Sequence, residues 1–186
     1  MTEPEKTAQR FAIFRLSLRY QPDQDRVRVD AVDTAGGQCA LWITRRMAGV
    51  WIAPMAQWLQ SSSRLAASAP VSLQQEAVAM ESAVITARRE RTESPPVAPR
   101  AQARLVQQID LNRQGQKWTM VFKCAPEEGH PAAFEALMQS DSATVHHLAQ
   151  ALAKQIELAG WSQPVALGWL GDQGKPQPAA PGTLLN

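Results

Sequence analysis

Tyrosine occurs once in the 186 residues, cysteine twice and histidine three times. The cysteines and histidines bear on function. Cys39 and Cys124 stand far apart in the sequence, each in a strand-like stretch, so a disulfide framework is not expected and both read as buried thiols of a reducing compartment. Of the histidines, His146 and His147 are adjacent, about 100° apart on a helix, and cannot converge on one metal as an i, i+4 pair does. They read as solvated flank residues, and His130 stands alone. A surplus of either charge is also missing: 19 basic residues face 17 acidic ones, a formal +2, too balanced to demand nucleic acid or an anionic lipid surface. No apolar run approaches the ~18 residues of a membrane span. Met1–Arg10 is charged and polar, without the apolar stretch of a secretory signal, so the expectation is a cytoplasmic protein. The phosphate-loop, dinucleotide-binding, H-E-x-x-H and C-x-x-C motifs are all absent.

What is present is pattern. Residues 11–20 alternate, with Phe14, Leu16, Leu18 and Tyr20 on one side and Arg15, Ser17 and Arg19 on the other, the period of a half-buried strand. Residues 21–25 are turn chemistry. Residues 26–32 alternate again through Val27 and Val29, Ala35-Gly36-Gly37 supplies a hairpin, and residues 38–43 form a third strand. Thr44 then reads as an N-cap. Behind it Met47, Trp51, Met55, Trp58 and Leu59 make one apolar helical stripe, which Pro54 kinks or restarts.

The plan then repeats. Residues 103–111 and 117–124 read as strands around a turn at Gly115, and 134–138 as a short strand or helical turn. Asp141 or Ser142 caps a helix carrying Val145, Leu148, Leu152, Ile156 and Ala159, and Gly160 ends it in the left-handed conformation. The expected fold is therefore α+β: two antiparallel three-strand meander-plus-helix units, 11–60 and 103–170, a pseudo-repeat sharing one compact body. Between them, 61–102 contains linker, helix and a Pro-rich stretch. Residues 1–10 and 171–186 read as flexible ends. Val165–Leu170 reads as a last strand.

Leu41-Trp42-Ile43-Thr44-Arg45-Arg46, a strand running into a helix, resembles a junction in uncharacterised bacterial proteins and implies no activity. Strands followed by a helix, stated twice, also resemble the single-stranded nucleic-acid binders of the Whirly and Pur-alpha type. Those use four strands per repeat, whereas three are evident here.

Two surfaces are candidates for function. If the apolar strand residues face the core, the opposite face carries Arg15, Arg19, Arg26, Arg28, Trp42, Lys117 and Lys123. Cations interleaved with an aromatic suit a single-stranded backbone with stacked bases, although the same alternation also serves solubility. The second surface is a helix at 73–91 whose Leu73, Ala77, Met80 and Val84 form a heptad-like seam. A seam between flexible segments packs on its own chain, on a second copy in a homodimer, or on another protein. Cys124 with His130, and Glu127 with Glu128, supply titratable groups but no third residue to orient them. The leading expectation is a non-enzymatic interaction or homo-oligomeric module without a cofactor and away from membranes. Single-stranded DNA or RNA binding is the alternative.

Overall fold

A computed structural model describes residues 9–63, 102–126 and 132–162, with 68, 70, 73, 74, 76–78, 80, 81 and 84 of the intervening segment. It is a mixed α+β fold. β1 (Gln9–Ile13), β2 (Arg15–Gln21), β3 (Arg26–Val32) and β4 (Gln38–Ile43) precede α1 (Arg45–Ser62). β5 (Ala103–Gln114), β6 (Lys117–Cys124) and β7 (Phe134–Ser140) precede α2 (Ser142–Leu158). Trp169, the expected strand at 165–170, His130, Glu127 and Glu128 lie outside the described residues.

The seven strands form one sheet in the order β1-β7-β6-β5-β4-β3-β2. Pairing is antiparallel within β2-β3-β4 and within β5-β6-β7. The sheet as a whole is not antiparallel, which corrects the expectation. β4 runs parallel to the start of β5, with Leu41 beside Arg104, and β1 runs parallel to β7, with Phe11 beside Ala136. β1 and β2 sit at opposite ends of the strand order yet are separated by Phe14 alone, so the sheet curls back on itself.

Register explains the burial. Val27, Val29 and Ala31 on β3 lie beside Tyr20, Leu18 and Leu16 on β2, and Val27 and Val29 lie beside Ile43 and Leu41 on β4. Those β3 and β4 residues are buried. The same alternation on β6 buries Trp118, Met120, Phe122 and Cys124. Phe14 departs from the pattern. Alternation puts it in the core, but it is 60% exposed, because it is the residue between β1 and β2 where the period of two breaks.

Both helices cover the apolar face and pack on each other. The Thr44 hydroxyl accepts from Met47 N at 3.3 Å, and the Asp141 carboxylate accepts from Thr144 N at 2.8 Å, so each helix starts where a side chain can satisfy a first-turn amide. Pro54 neither ends nor restarts α1, which runs unbroken to Ser62. The carbonyl it leaves without an intrahelical donor belongs to Val50, and Val50 and Pro54 both face solvent, where water can replace the bond. Gly160 follows α2 at φ +63°, the left-handed stop its position suggested.

The core joins both halves of the chain. Trp51 of α1 meets Phe122 of β6 edge-on with ring centroids 4.9 Å apart, and Trp58 meets Trp118 in the same way at 5.6 Å. Trp51 and Leu152 are fully buried, as their place at the centre of each helical stripe predicted.

Candidate functional site

The register puts the seven basic-face residues on the side of the sheet away from the helices. Arg19, Arg28 and Trp42 form one row across β2, β3 and β4. Arg26, two pairs along from Arg28, lies beside Gln21. Lys117 lies beside Gln114 and Lys123 beside Gln108 and Glu135.

Two of the six cations on this face, Arg28 and Lys123, are met by carboxylates. Arg28 Nε donates to Asp30 Oδ1 at 2.8 Å, and its guanidinium lies 5.6 Å from the Trp42 ring centroid. Lys123 Nζ reaches Asp110 Oδ2 at 2.7 Å, a contact that holds the Asp110 carboxyl below its ordinary range and raises the lysine. Arg10 meets Glu135 at 3.2 Å beside them. Arg15 stands over the exposed Phe14 ring at 5.7 Å. Acidic neighbours thus offset part of the basic field that a phosphate backbone requires.

The seam is presented differently. Helical residues from Gln74 to Val84 are held to the body by Val78, which is 1% exposed, and by Ser63, whose Oγ donates to Glu81 Oε2 at 2.6 Å. At 100° per residue, Val78 lies more than a quarter turn from Leu73, Met80 and Val84. Those three are 46%, 66% and 51% exposed, and Ala77 is half-buried.

A third place went unread in the sequence. His146 is buried rather than solvated, with its ring 6.3 Å from that of Trp58. It lies three residues before Ala149 and seven before Ala153, both buried, which is the signal that could have found it. Burial pushes its pKa below the usual imidazole value against the pull of Glu81, and His147 lowers it further, so it is neutral at pH 7. His146 lines a cavity of about 170 Å³ with Leu59, Ser62, Ser63, Glu81, Gln116 and Ser142. Among the described residues no three His, Cys, Asp or Glu side chains stand together to hold a metal, and no helix is long and apolar enough to cross a membrane.

Both cysteines are buried and neither is in a disulfide. Burial, reinforced by Cys124, pushes the Cys39 thiol up to about 12, so neither a nucleophile nor a base is evident there. These features define a mixed-sheet α+β protein with an apolar helix seam, a partly neutralised basic face and a small polar cavity. No family model matches the chain, and no curated protein matches it in sequence.

Proposed function

We propose that the chain is a non-enzymatic interaction module that associates with a second copy of itself through Leu73, Ala77, Met80 and Val84. The observation that carries this reading is the exposure of Leu73, Met80 and Val84, which helical spacing puts on one strip, Met80 and Val84 on the helix and Leu73 in the turn that opens it. Steps of four and three residues let two such strips interdigitate, and the same strip on both copies suits a two-fold interface. Val78 and the Ser63–Glu81 bond anchor the other side of the helix, so the strip is offered without the helix leaving the body.

Light scattering on the eluting protein tests this. The expected result is a concentration-dependent mass approaching twice 20.4 kDa. Met80→Glu should return a folded monomer, because an unpaired carboxylate is costly in an apolar interface. A monomer at all concentrations, or a dimer indifferent to Met80→Glu, sinks the proposal.

The row Arg19, Arg28 and Trp42 favours a second reading, single-stranded nucleic-acid binding on the outer sheet face. Replacing Arg15, Arg19 and Arg28 by Ser should then abolish a salt-sensitive gel shift while leaving mass unchanged. The idea that the two halves are a structural repeat is supported by the antiparallel meander each places before its helix, β2-β3-β4 before α1 and β5-β6-β7 before α2, although β1 gives the first half a fourth strand.

A further inference from the structure

We propose that the outer edge of β1 receives an extended peptide strand from another protein, one that sets a carboxylate beside Arg10 and an apolar side chain beside Ala12. β1 ends the strand order, so one of its sides has no neighbour among the described strands. Across the parallel pairing with β7, Gln9 N donates to Ala133 O at 2.8 Å. The even spacing of a parallel ladder then turns the backbone groups of Gln9, Phe11 and Ile13 towards β7. Arg10 and Ala12 aim their N–H and C=O groups the other way, and both residues are exposed. Two donors and two acceptors thus stand in line at strand spacing, the complement of another strand and not of a helix.

The other end of the sheet is treated differently. Tyr20 N, on the outer edge of β2, donates to the α2 side-chain oxygen Gln155 Oε1 at 2.7 Å, and Trp161 packs edge-on against the Tyr20 ring. Among the described residues β1 has no such cover, and it contains neither the proline nor the lysine that commonly blunts an edge. The slot also has a stop. Past Ile13 the same side of the chain belongs to β3, since Phe14 N donates to Val32 O at 2.8 Å. There β3 ends, because the chain turns at Asp33, whose amide bonds Gly37 O at 3.0 Å. A guest strand continues the line that β3 leaves.

Side chains select the guest. Counted from β1, Arg10, Ala12 and Phe14 share the outward face, so Ala12 is a gap between two large neighbours, with Leu137 beside it on β7. Phe14 is 60% exposed and Leu137 37%, so an apolar side chain laid over Ala12 finds apolar surface on two sides. Charge acts at the next position. Arg10 commits its Nε to Glu135 at 3.2 Å, on the β7 side, while its side chain stays 83% exposed. The terminal nitrogens of that guanidinium are available to a carboxylate across the edge, and a cation placed there is repelled. Backbone pairing supplies the attachment, and Arg10 decides which strand is accepted.

The probe is acetyl-Thr-Glu-Thr-Val-Thr-Glu-Thr-amide, whose symmetric pattern suits either strand direction, titrated at pH 7 into ¹⁵N-labelled full-length protein. The expected result is saturable shifts centred on the amides of Arg10 and Ala12, slower exchange of both, and a Kd of roughly 0.1–1 mM. The same peptide with Lys for Glu should bind at least about tenfold more weakly, and Arg10→Gln should shrink that difference to about twofold. Ala12→Pro deletes a donor that makes no bond within the fold, so melting should hold while binding is lost. A fully N-methylated peptide makes the matching test on the guest and should not bind. No saturable shift up to about 10 mM, equal binding of the Glu and Lys peptides, or undiminished binding after Ala12→Pro or N-methylation overturns the proposal. So does a mass that falls on Ala12→Pro but not on Met80→Glu, which would give the edge to a second copy of the chain. Met80→Glu should leave peptide binding unchanged, so the edge and the seam stand or fall separately.

Discussion

Replacing Trp51 by Ala tests the claim that one core serves both halves of the chain. Trp51 belongs to α1, directly after the first meander, but its indole rests on β6: Nε1 donates to the Met120 sulfur at 3.4 Å and the ring meets Phe122. The side chain has no exposed surface. A buried aromatic of this size removes about 150–250 Å² from water, worth roughly 4–6 kcal/mol at 25 cal/mol per Å², and measured aromatic truncations cost about 3–5 kcal/mol. Taking about 4 kcal/mol, a protein of this length should melt roughly 8–16 °C lower. Urea unfolding followed by far-ultraviolet circular dichroism and by hydrogen exchange gives the assay. The loss should appear in one transition and be shared by the amides of β3 and of β6, because neither half retains its packing once the indole is gone. Gln57→Ala, on the exposed side of the same helix, should change little. If Trp51→Ala costs no more than Gln57→Ala, or loosens β3 while β6 keeps its protection, the shared core is refuted.

Cys39, with its thiol raised from 9.0 to about 12, should resist a thiol-specific disulfide reagent at pH 8 until the protein unfolds; rapid native labelling would contradict its burial. The sign follows from the same shift: the folded state holds the proton more tightly than the unfolded chain, so this contribution to stability is complete below about pH 9 and declines as pH rises towards 12. Gly160→Ala should destabilise by about 1–2 kcal/mol through its left-handed backbone alone, since nothing lies within 4 Å of the added methyl. Gly160→Asn should cost less, and a neutral alanine in a denaturant titration would argue against that account.

Alternation and helical spacing made β2, β3, β4, β6 and both long helices legible, because each has one buried face and one wet one. What they could not reveal was adjacency. Nothing local to Leu41 names Arg104 as its neighbour, so the two parallel joins, and with them the curl of the sheet, were invisible. Phe14 misled for a related reason: a residue between two strand segments keeps its place in the count but loses its place on the face. Pro54 overstated its effect because its cost depends on whether the orphaned carbonyl can reach water. The seam was readable as a strip but not its outward direction, which depends on Val78 and the Ser63–Glu81 bond. The polar cavity assembles from Ser63, Glu81, Gln116 and His146, residues with no spacing rule in common.

Among the described strands, the first in the chain is also the last to find its partner during synthesis. Gln9–Ile13 pairs with β7, and the ion pair that accompanies it, Arg10 with Glu135, spans 125 residues. β2 can pair with β3 as soon as the turn between them emerges from the ribosome, but β1 must wait for nearly the whole described chain. At ordinary elongation rates of about 5–20 residues per second, that interval lasts roughly 6–25 seconds. A strand unpaired for so long is an open template for other chains. A charge on an unpaired strand disfavours such mispairing, and Arg10, its side chain largely exposed even when paired with Glu135, supplies one.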